Sequence, residues 1–199
     1  MPSQVFKIAV IGTHFVGKST LCRDLVNYLK NKNQNVGMIE EVVRDCPFPV
    51  NEMATVQAQD WILTEQKRRE KELEQKHDFV VMDRGIIDNF AYWVRVAELN
   101  KLEPEKIRQK KEEVFEHSKD YVMILFMQPF DGNKITNDKF RSVDVNWRNE
   151  MHGRVANIIN NLKANHKGKI FVLKGNKNEV FETAKNYLEK NAEMKDTKL

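Results

Sequence analysis

Two glycines, a lysine and a serine stand near the start of the chain as Gly12-x-x-x-x-Gly17-Lys18-Ser19. That set of residue types, at that spacing, suits the holding of phosphates. Glycines let the chain turn tightly and bring backbone N–H groups up to phosphate oxygens, and a helix starting behind them offers its N-terminal dipole to the same anion. In this pattern Lys18 reaches the β- and γ-phosphates and the Ser19 hydroxyl binds Mg²⁺. The context agrees on both sides: the apolar run Ile8–Ile11 ends at Gly12, and an amphipathic stretch begins at Lys18. Thr13, His14, Phe15 and Val16 fill the variable positions and Thr20 follows Ser19, so residues 12–20 form the expected nucleotide-binding segment. His14 is expected to contribute through its backbone, with its ring toward solvent.

A nucleoside triphosphate also needs a second carboxylate for its metal, normally an aspartate ending another apolar strand. The run Phe79-Val80-Val81-Met82-Asp83 supplies one. Asp83 falls where open α/β sheets bind ligands, at the carboxyl ends of the strands. It could equally cap the next helix.

Whether the phosphate goes to water or to an acceptor depends on other residues. A small GTPase would carry Asp-x-x-Gly from Asp83 onward, but Ile86 holds the glycine's position. Asn176-Lys177-Asn178-Glu179 misses Asn-Lys-x-Asp by its last residue. A motor of the AAA type would need an added helical domain and sensor residues, for which 199 residues leave no room. Transfer needs groups that hold an acceptor in line, positive charge around the transferring phosphoryl, and a lid that excludes water. Glu41 and Arg44 follow the second apolar run, and Arg84, Asp88 and Tyr92 follow the third. Arg141 lies in a long loop, and Arg148 opens the next helical stretch. Arginine suits the task because it is permanently charged and forks onto phosphate oxygens. Asp83 or Glu41 would orient or deprotonate the acceptor hydroxyl. Simpler readings stand beside these: Glu41 and Arg44 as a surface i,i+3 pair, Trp61 and Tyr92 as core.

The elements that must position these residues follow from periodicity. Five short apolar runs, each of about 5–8 residues, alternate with longer polar stretches of helical period. Continuous rather than alternating apolar runs suit strands covered on both faces, which implies an α/β fold with a parallel sheet and right-handed crossovers. Helices are expected from Lys18 into the Asn-rich turn at 31–35, from about Met53 to Lys76, after Gly85, from Pro104, from about Val145 to Ala164, and from about Asn178 to Lys190. The second is expected to pack through Ala58, Trp61, Ile62 and Glu65. Residues 129–144 break the alternation with turn formers and charges, and a loop of that length beside strand ends reads as a lid. The lid region spans about 129–150.

Composition bounds the rest. With 41% apolar and 31% charged residues, 199 residues suit one globular domain. A net charge of +4 is too small for a nucleic-acid footprint. No apolar run approaches the roughly 20 residues of a membrane helix, and no secretory apolar segment opens the chain. The expectation is therefore a cytoplasmic protein, with Cys22 and Cys46 as reduced thiols and no membrane or nucleic-acid partner. Five histidines lack metal-ligand spacing. Residues 192–199 are polar and are expected to fray. A monomer and a homodimer both stay open.

With these residues in place, the chain resembles the P-loop nucleoside and nucleotide kinases. That resemblance implies a three-layer fold with a five-stranded parallel sheet of order 2-3-1-4-5, and ATP with Mg²⁺ as cofactors. The Asp83–Tyr92 segment is similar to the Asp-Arg-centred segment of thymidylate kinases, in which the arginine holds the acceptor's phosphate. Gly85 departs from it, standing where those enzymes carry a bulky aromatic residue or histidine. Glu41-x-x-Arg44 and Lys139-Phe140-Arg141-Ser142 are similar to segments of ribosylnicotinamide kinase domains, though Lys139-Phe140 replaces Gly-Leu. The expected activity is transfer of the γ-phosphoryl of ATP to a small hydroxyl acceptor: a nucleoside, a nucleotide or a related metabolite. An NTPase without a small acceptor and a nucleotide-binding regulatory module are the alternatives.

Overall fold

The computed structural model describes residues 5–130, 144–163 and 169–192. Five parallel strands form one sheet: β1 (Phe6–Ile11), β2 (Val36–Ile39), β3 (Phe79–Asp83), β4 (Met123–Met127) and β5 (Ile170–Leu173). Their order is β2-β3-β1-β4-β5. With helices on both sides, this is a three-layer α/β architecture, with the strand order that the resemblance implies. Parallel neighbours require crossovers, and the helices supply them: α1 (Lys18–Asn31), α2 (Val56–Glu74), α3 (Ile86–Leu99), α4 (Pro104–Ser118), α5 (Val145–Leu162) and α6 (Lys177–Asn191).

Side chains on a strand point alternately to the two faces, and both faces here are covered. On one face Ile8, Val10, Val81 and Leu125 pack with Leu21, Leu25 and Leu29 of α1 and Val180 and Leu188 of α6. On the other, Ala9, Ile11, Met82 and Phe126 meet Ile62 of α2, Phe90 of α3 and Met151 of α5. The register sets Val10 opposite Asp83 and Ile11 opposite Phe126, so the segments after β1, β3 and β4 leave from one edge of the sheet.

Local chemistry fixes the helix starts. The second helix begins at Val56 rather than near Met53. The Thr55 hydroxyl accepts the Ala58 N–H at 3.1 Å and caps it, and Asn51–Met53 forms a separate 3-10 turn. Its buried face is also more polar than the periodicity suggests. Gln59, Gln66 and Glu70 are buried beside Ala58, Ile62 and Leu63, while Trp61 and Glu65 are only half-buried. Asp144 caps α5, accepting from the N–H groups of Asn146 and Trp147 at 2.7 and 3.3 Å. Asn176-Lys177-Asn178-Glu179 is the capping box of α6: Asn176 accepts from Asn178 and Glu179, and Glu179 accepts from the Asn176 N–H. Its likeness to a GTPase motif is explained by that cap. Arg141, with the rest of the expected lid from 131 to 143, lies outside the described residues, as does 193–199.

Candidate functional site

The phosphate cradle takes shape between β1 and α1. Gly12 has φ +142°, and a Cβ there would sit 2.7 Å from the Met127 carbonyl oxygen, so glycine alone fits. Gly17 is left-handed at φ +89° and stands at the N-cap of α1, which starts at Lys18 and has no acidic residue in its first turn. Beside it, Phe15, Lys18, Ser19, Thr20, Arg23 and Arg44 line an open cavity of about 600 Å³. Unsatisfied N–H groups, a helix dipole and three cations make this an anion site. A second recess of about 460 Å³, lined by Gly17, Thr20, Met127, Gly175 and Lys177, adjoins the same glycine.

Lys18 is buried, and its Nζ donates to the Thr13 carbonyl at 2.7 Å. Burial pulls its pKa down to about 8, helped by nearby Arg84 and opposed by Glu41, Asp83 and Asp88. His14 departs from expectation. Its ring is not toward solvent but only 2% exposed, stacked on Trp147 with centroids 4.8 Å apart, and its Nδ1 lies 3.4 Å from the Tyr92 hydroxyl. The cause is α5, whose first turn lays the Trp147 indole across the cradle and offers the imidazole a flat apolar surface.

Asp83 ends β3 buried, and its Oδ1 accepts no hydrogen bond among the described residues. A buried carboxylate oxygen without a donor calls for a cation. Among the described residues no three or more His, Cys, Asp or Glu side chains group to hold a metal. A cation at Asp83 and Ser19 would thus draw most ligands from phosphate and water, which suits Mg²⁺. The next helix's cap falls to Asp88 rather than Asp83, since Asp88 Oδ1 accepts the Gly85 N–H at 2.9 Å.

Arg84 is the hub of the other half of the site. It is buried with φ +81°; its Nε donates to Glu41 Oε1 at 2.7 Å, and its Nη1 reaches Asp88 Oδ2 at 3.1 Å and the Gly12 carbonyl at 3.3 Å. Its guanidinium lies 5.1 Å from the Tyr92 ring centroid. Burial opposes its charge but is outweighed by Tyr92, Glu41 and Asp88, so its pKa stays well above the usual arginine value. Burial raises the pKa of Asp88, against the pull of Arg84 and Lys18, and also raises that of Tyr92.

Glu41 and Arg44 are not a surface pair. The Glu41 side chain is 1% exposed, between Arg84 and Arg44, whose Nε lies 3.3 Å from its Oε2. Glu41, Arg84 and Tyr92, expected at an acceptor, line one narrow cleft. Arg44 instead faces the phosphate-side cavity, and Asp88 sits behind Arg84. Arg148 contributes its carbonyl, which accepts from the Thr13 hydroxyl at 3.4 Å; its Nε is buried with no partner among the described residues. Val43, Asn51, Gln59, Asn89 and Trp147 also line the cleft and are not among the site residues expected from the sequence. For Gln59 a signal existed, an amide one turn before Ile62 on the buried stripe of α2. Asn89 and Trp147 carry no pattern that marks them.

The family model described as an AAA domain matches residues 7–176. No curated protein matches the chain. Among solved structures, the chain is similar to the NadR protein in complex with NAD and AMP-PNP, at 17% identity and TM-score 0.68, covering 98% of this chain and 52% of that one. The NadR protein in complex with NR gives 18% identity, TM-score 0.70, and coverage of 98% and 54%. Deoxyadenosine kinase from M. mycoides with bound dATP gives 15% identity, TM-score 0.66, and coverage of 92% and 99%. This chain spans about half the length of the NadR chains. At such identities the likeness is one of fold.

Proposed function

The chain belongs to the AAA-domain family, and we propose that it is a phosphotransferase moving the γ-phosphoryl group of ATP to a hydroxyl of an uncharged, nucleoside-like acceptor. Family membership does not separate transfer from hydrolysis or imply a motor. The observation that carries the proposal is the set of polar and aromatic groups around the cleft beside the phosphate cradle, which His14 of the cradle also lines. The cleft is narrow, but its mixed lining is that of a small-molecule site, with Gln59, Asn89, Arg84 and Glu41 set among Tyr92 and Trp147. The NR-bound and dATP-bound structures named above are consistent with a nucleoside ligand on this fold.

Its charge favours an acceptor without phosphate. Arg84 is the one arginine or lysine on this lining among the described residues, and Glu41, Asp88 and the Gly12 carbonyl already engage it. Arg84 and Arg44 set against Glu41 and Asp88 leave no net positive charge for an incoming phosphate. That argues against the thymidylate-kinase role for Arg84.

In the mechanism we propose, the N–H groups of residues 12–20 and Lys18 hold the triphosphate, with Arg44 adding charge from the phosphate side. Ser19 and Asp83 would hold Mg²⁺, which when bound neutralises charge on the triphosphate. Glu41, held in place by Arg84, accepts the proton of the acceptor hydroxyl as the oxygen attacks in line. It is the carboxylate that lines the cavity, so the base assignment goes to Glu41 and the metal assignment to Asp83. Charge neutralisation by Arg141, which lies outside the described residues, is part of the proposal, and Arg148 sits beside the cradle on α5 through the bond of its carbonyl to Thr13. We also read residues 1–199 as one domain acting in the cytoplasm, where ATP is available and thiols such as the buried Cys22 stay reduced.

The test is turnover of ATP with Mg²⁺, alone and with a panel of nucleosides, nicotinamide riboside and nucleoside 5′-monophosphates. The proposal expects stimulation by an unphosphorylated acceptor and formation of its phosphate ester. Stimulation by monophosphates alone would overturn the charge argument, and acceptor-independent phosphate release would replace the kinase with an NTPase.

A further inference from the structure

Helix α3 starts at a residue that cannot cap it. Gly85 holds the N-cap position and has no side chain for the free N–H groups of the first turn. A side chain there would be crowded: a Cβ at Gly85 would lie 3.1 Å from both Ala9 Cβ and Tyr121 Cε2, which would have to give way. Asp88 takes the Gly85 N–H, and the Ile86 N–H is capped from 35 positions away. The Tyr121 hydroxyl, just before β4, accepts the Ile86 N–H at 2.9 Å and donates to Glu70 Oε1 at 2.7 Å. Glu70 is fixed in turn, since Gln66 Nε2 donates to its Oε1 at 2.9 Å and His117 Nε2 lies 2.8 Å from its Oε2.

Stability alone does not account for this arrangement. Glu70 and Tyr121 are both 0% exposed, and the ion partner of Glu70 among the described residues is His117. A leucine and a phenylalanine would fill the same space without desolvating a carboxylate. What the polar pair adds is direction, because a hydroxyl held by Glu70 can meet only one position of the Ile86 N–H. Arg84, two residues earlier at φ +81°, must reach Glu41, Asp88 and the Gly12 carbonyl together. Asp88 lies in the very turn that Tyr121 caps. A shift of that turn would move Arg84 and Asp88 relative to Glu41.

We infer that Tyr121 and Glu70 are positioning residues: Tyr121, oriented by Glu70, caps α3 in place of the side chain Gly85 lacks and so sets the Glu41–Arg84–Asp88 bridge. What is positioned takes its meaning from the kinase reading, but the bridge itself can be observed without turnover. The experiment follows the Arg84 Nε–H resonance in the ¹⁵N-labelled full chain, assigned by its disappearance in Arg84→Lys. In Tyr121→Phe the resonance should shift and exchange with solvent at least about fivefold faster, the scale of one lost hydrogen bond. Affinity for a fluorescent ATP analogue should stay within about twofold of the parent, since the cradle is built by β1 and α1. Glu70→Leu should behave like Tyr121→Phe, and Glu70→Gln, which still accepts from the hydroxyl, should restore the parent signal. With the most active acceptor of the panel, Tyr121→Phe should raise the KM of the acceptor and not that of ATP. An unmoved Arg84 resonance, with only a lower melting temperature, would overturn the inference and leave Tyr121 a packing residue. Should Tyr121→Phe fail to fold, the Glu70→Leu and Glu70→Gln pair decides by the same signal. A parent protein that phosphorylates no acceptor would defeat the kinase reading and leave this test intact.

Discussion

Lys18 is asked to stay charged in a place that resists charge, and its behaviour with pH follows. Burial lowers its pKa to about 8 in the ligand-free protein, and only the ammonium form attracts phosphate. ATP affinity should hold below pH 8 and weaken above it, by about tenfold at pH 9; nucleotide titrations between pH 7 and 9.5 check this. Gly12 carries a different constraint. Gly12→Ala combines φ +142° with a Cβ 2.7 Å from the Met127 carbonyl. It should cost about 1–3 kcal/mol in urea unfolding and abolish ATP binding. Arg84→Met would strand Asp88 and leave Glu41 with Arg44, lowering stability by about 3–5 kcal/mol. The sign with pH is fixed. Burial already raises the Asp88 pKa, and losing Arg84 removes an opposing pull. A carboxyl with a raised folded-state pKa contributes stability at low pH that is lost as pH rises, so the deficit of Arg84→Met should grow from pH 4 toward neutrality.

Helix α2 shows what a sequence conceals. The cradle was legible because Gly12, Gly17, Lys18 and Ser19 are adjacent in the chain and each answers a backbone or phosphate requirement. The strands were legible because both faces are apolar. The cleft beside the cradle draws Glu41, Gln59, Arg84 with Asn89, and Trp147 from four separate segments, and no local period relates them. Polar residues on a buried stripe read as surface until a partner helix covers them, which is why Gln59, Gln66 and Glu70 were passed over. The ring of His14 was misjudged for the same reason, as its cover, Trp147, comes from α5. Two predictions sit at this scale. Gln59→Leu should raise the acceptor KM about fivefold or more by removing a buried hydrogen-bonding group, with ATP affinity unchanged in equilibrium titration. Thr55→Ala, which removes the cap of α2, should lower stability by about 1 kcal/mol and leave the ATP KM unaltered.

The order β2-β3-β1-β4-β5 places β1 between two strands that leave it in opposite directions along the sheet, and a crevice opens at the carboxyl ends of such neighbours. The cradle after β1 and the Asp83–Arg84 pair after β3 meet there, while Glu41 arrives from the end of β2. Parallel α/β class could be read from the alternation of elements, but strand order came only through resemblance, because nothing local in a strand names its neighbour. We read this arrangement as a triphosphate site set beside an acceptor cleft, and the central claim of the proposal is that the γ-phosphoryl crosses from one to the other. The most direct measurement follows γ-labelled ATP through a single turnover with Mg²⁺ and each unphosphorylated acceptor. The account predicts label in the acceptor's phosphate ester, lost in Lys18→Ala while that variant keeps the parent circular dichroism. Label found only in free phosphate, at the same rate with and without acceptor, would contradict it.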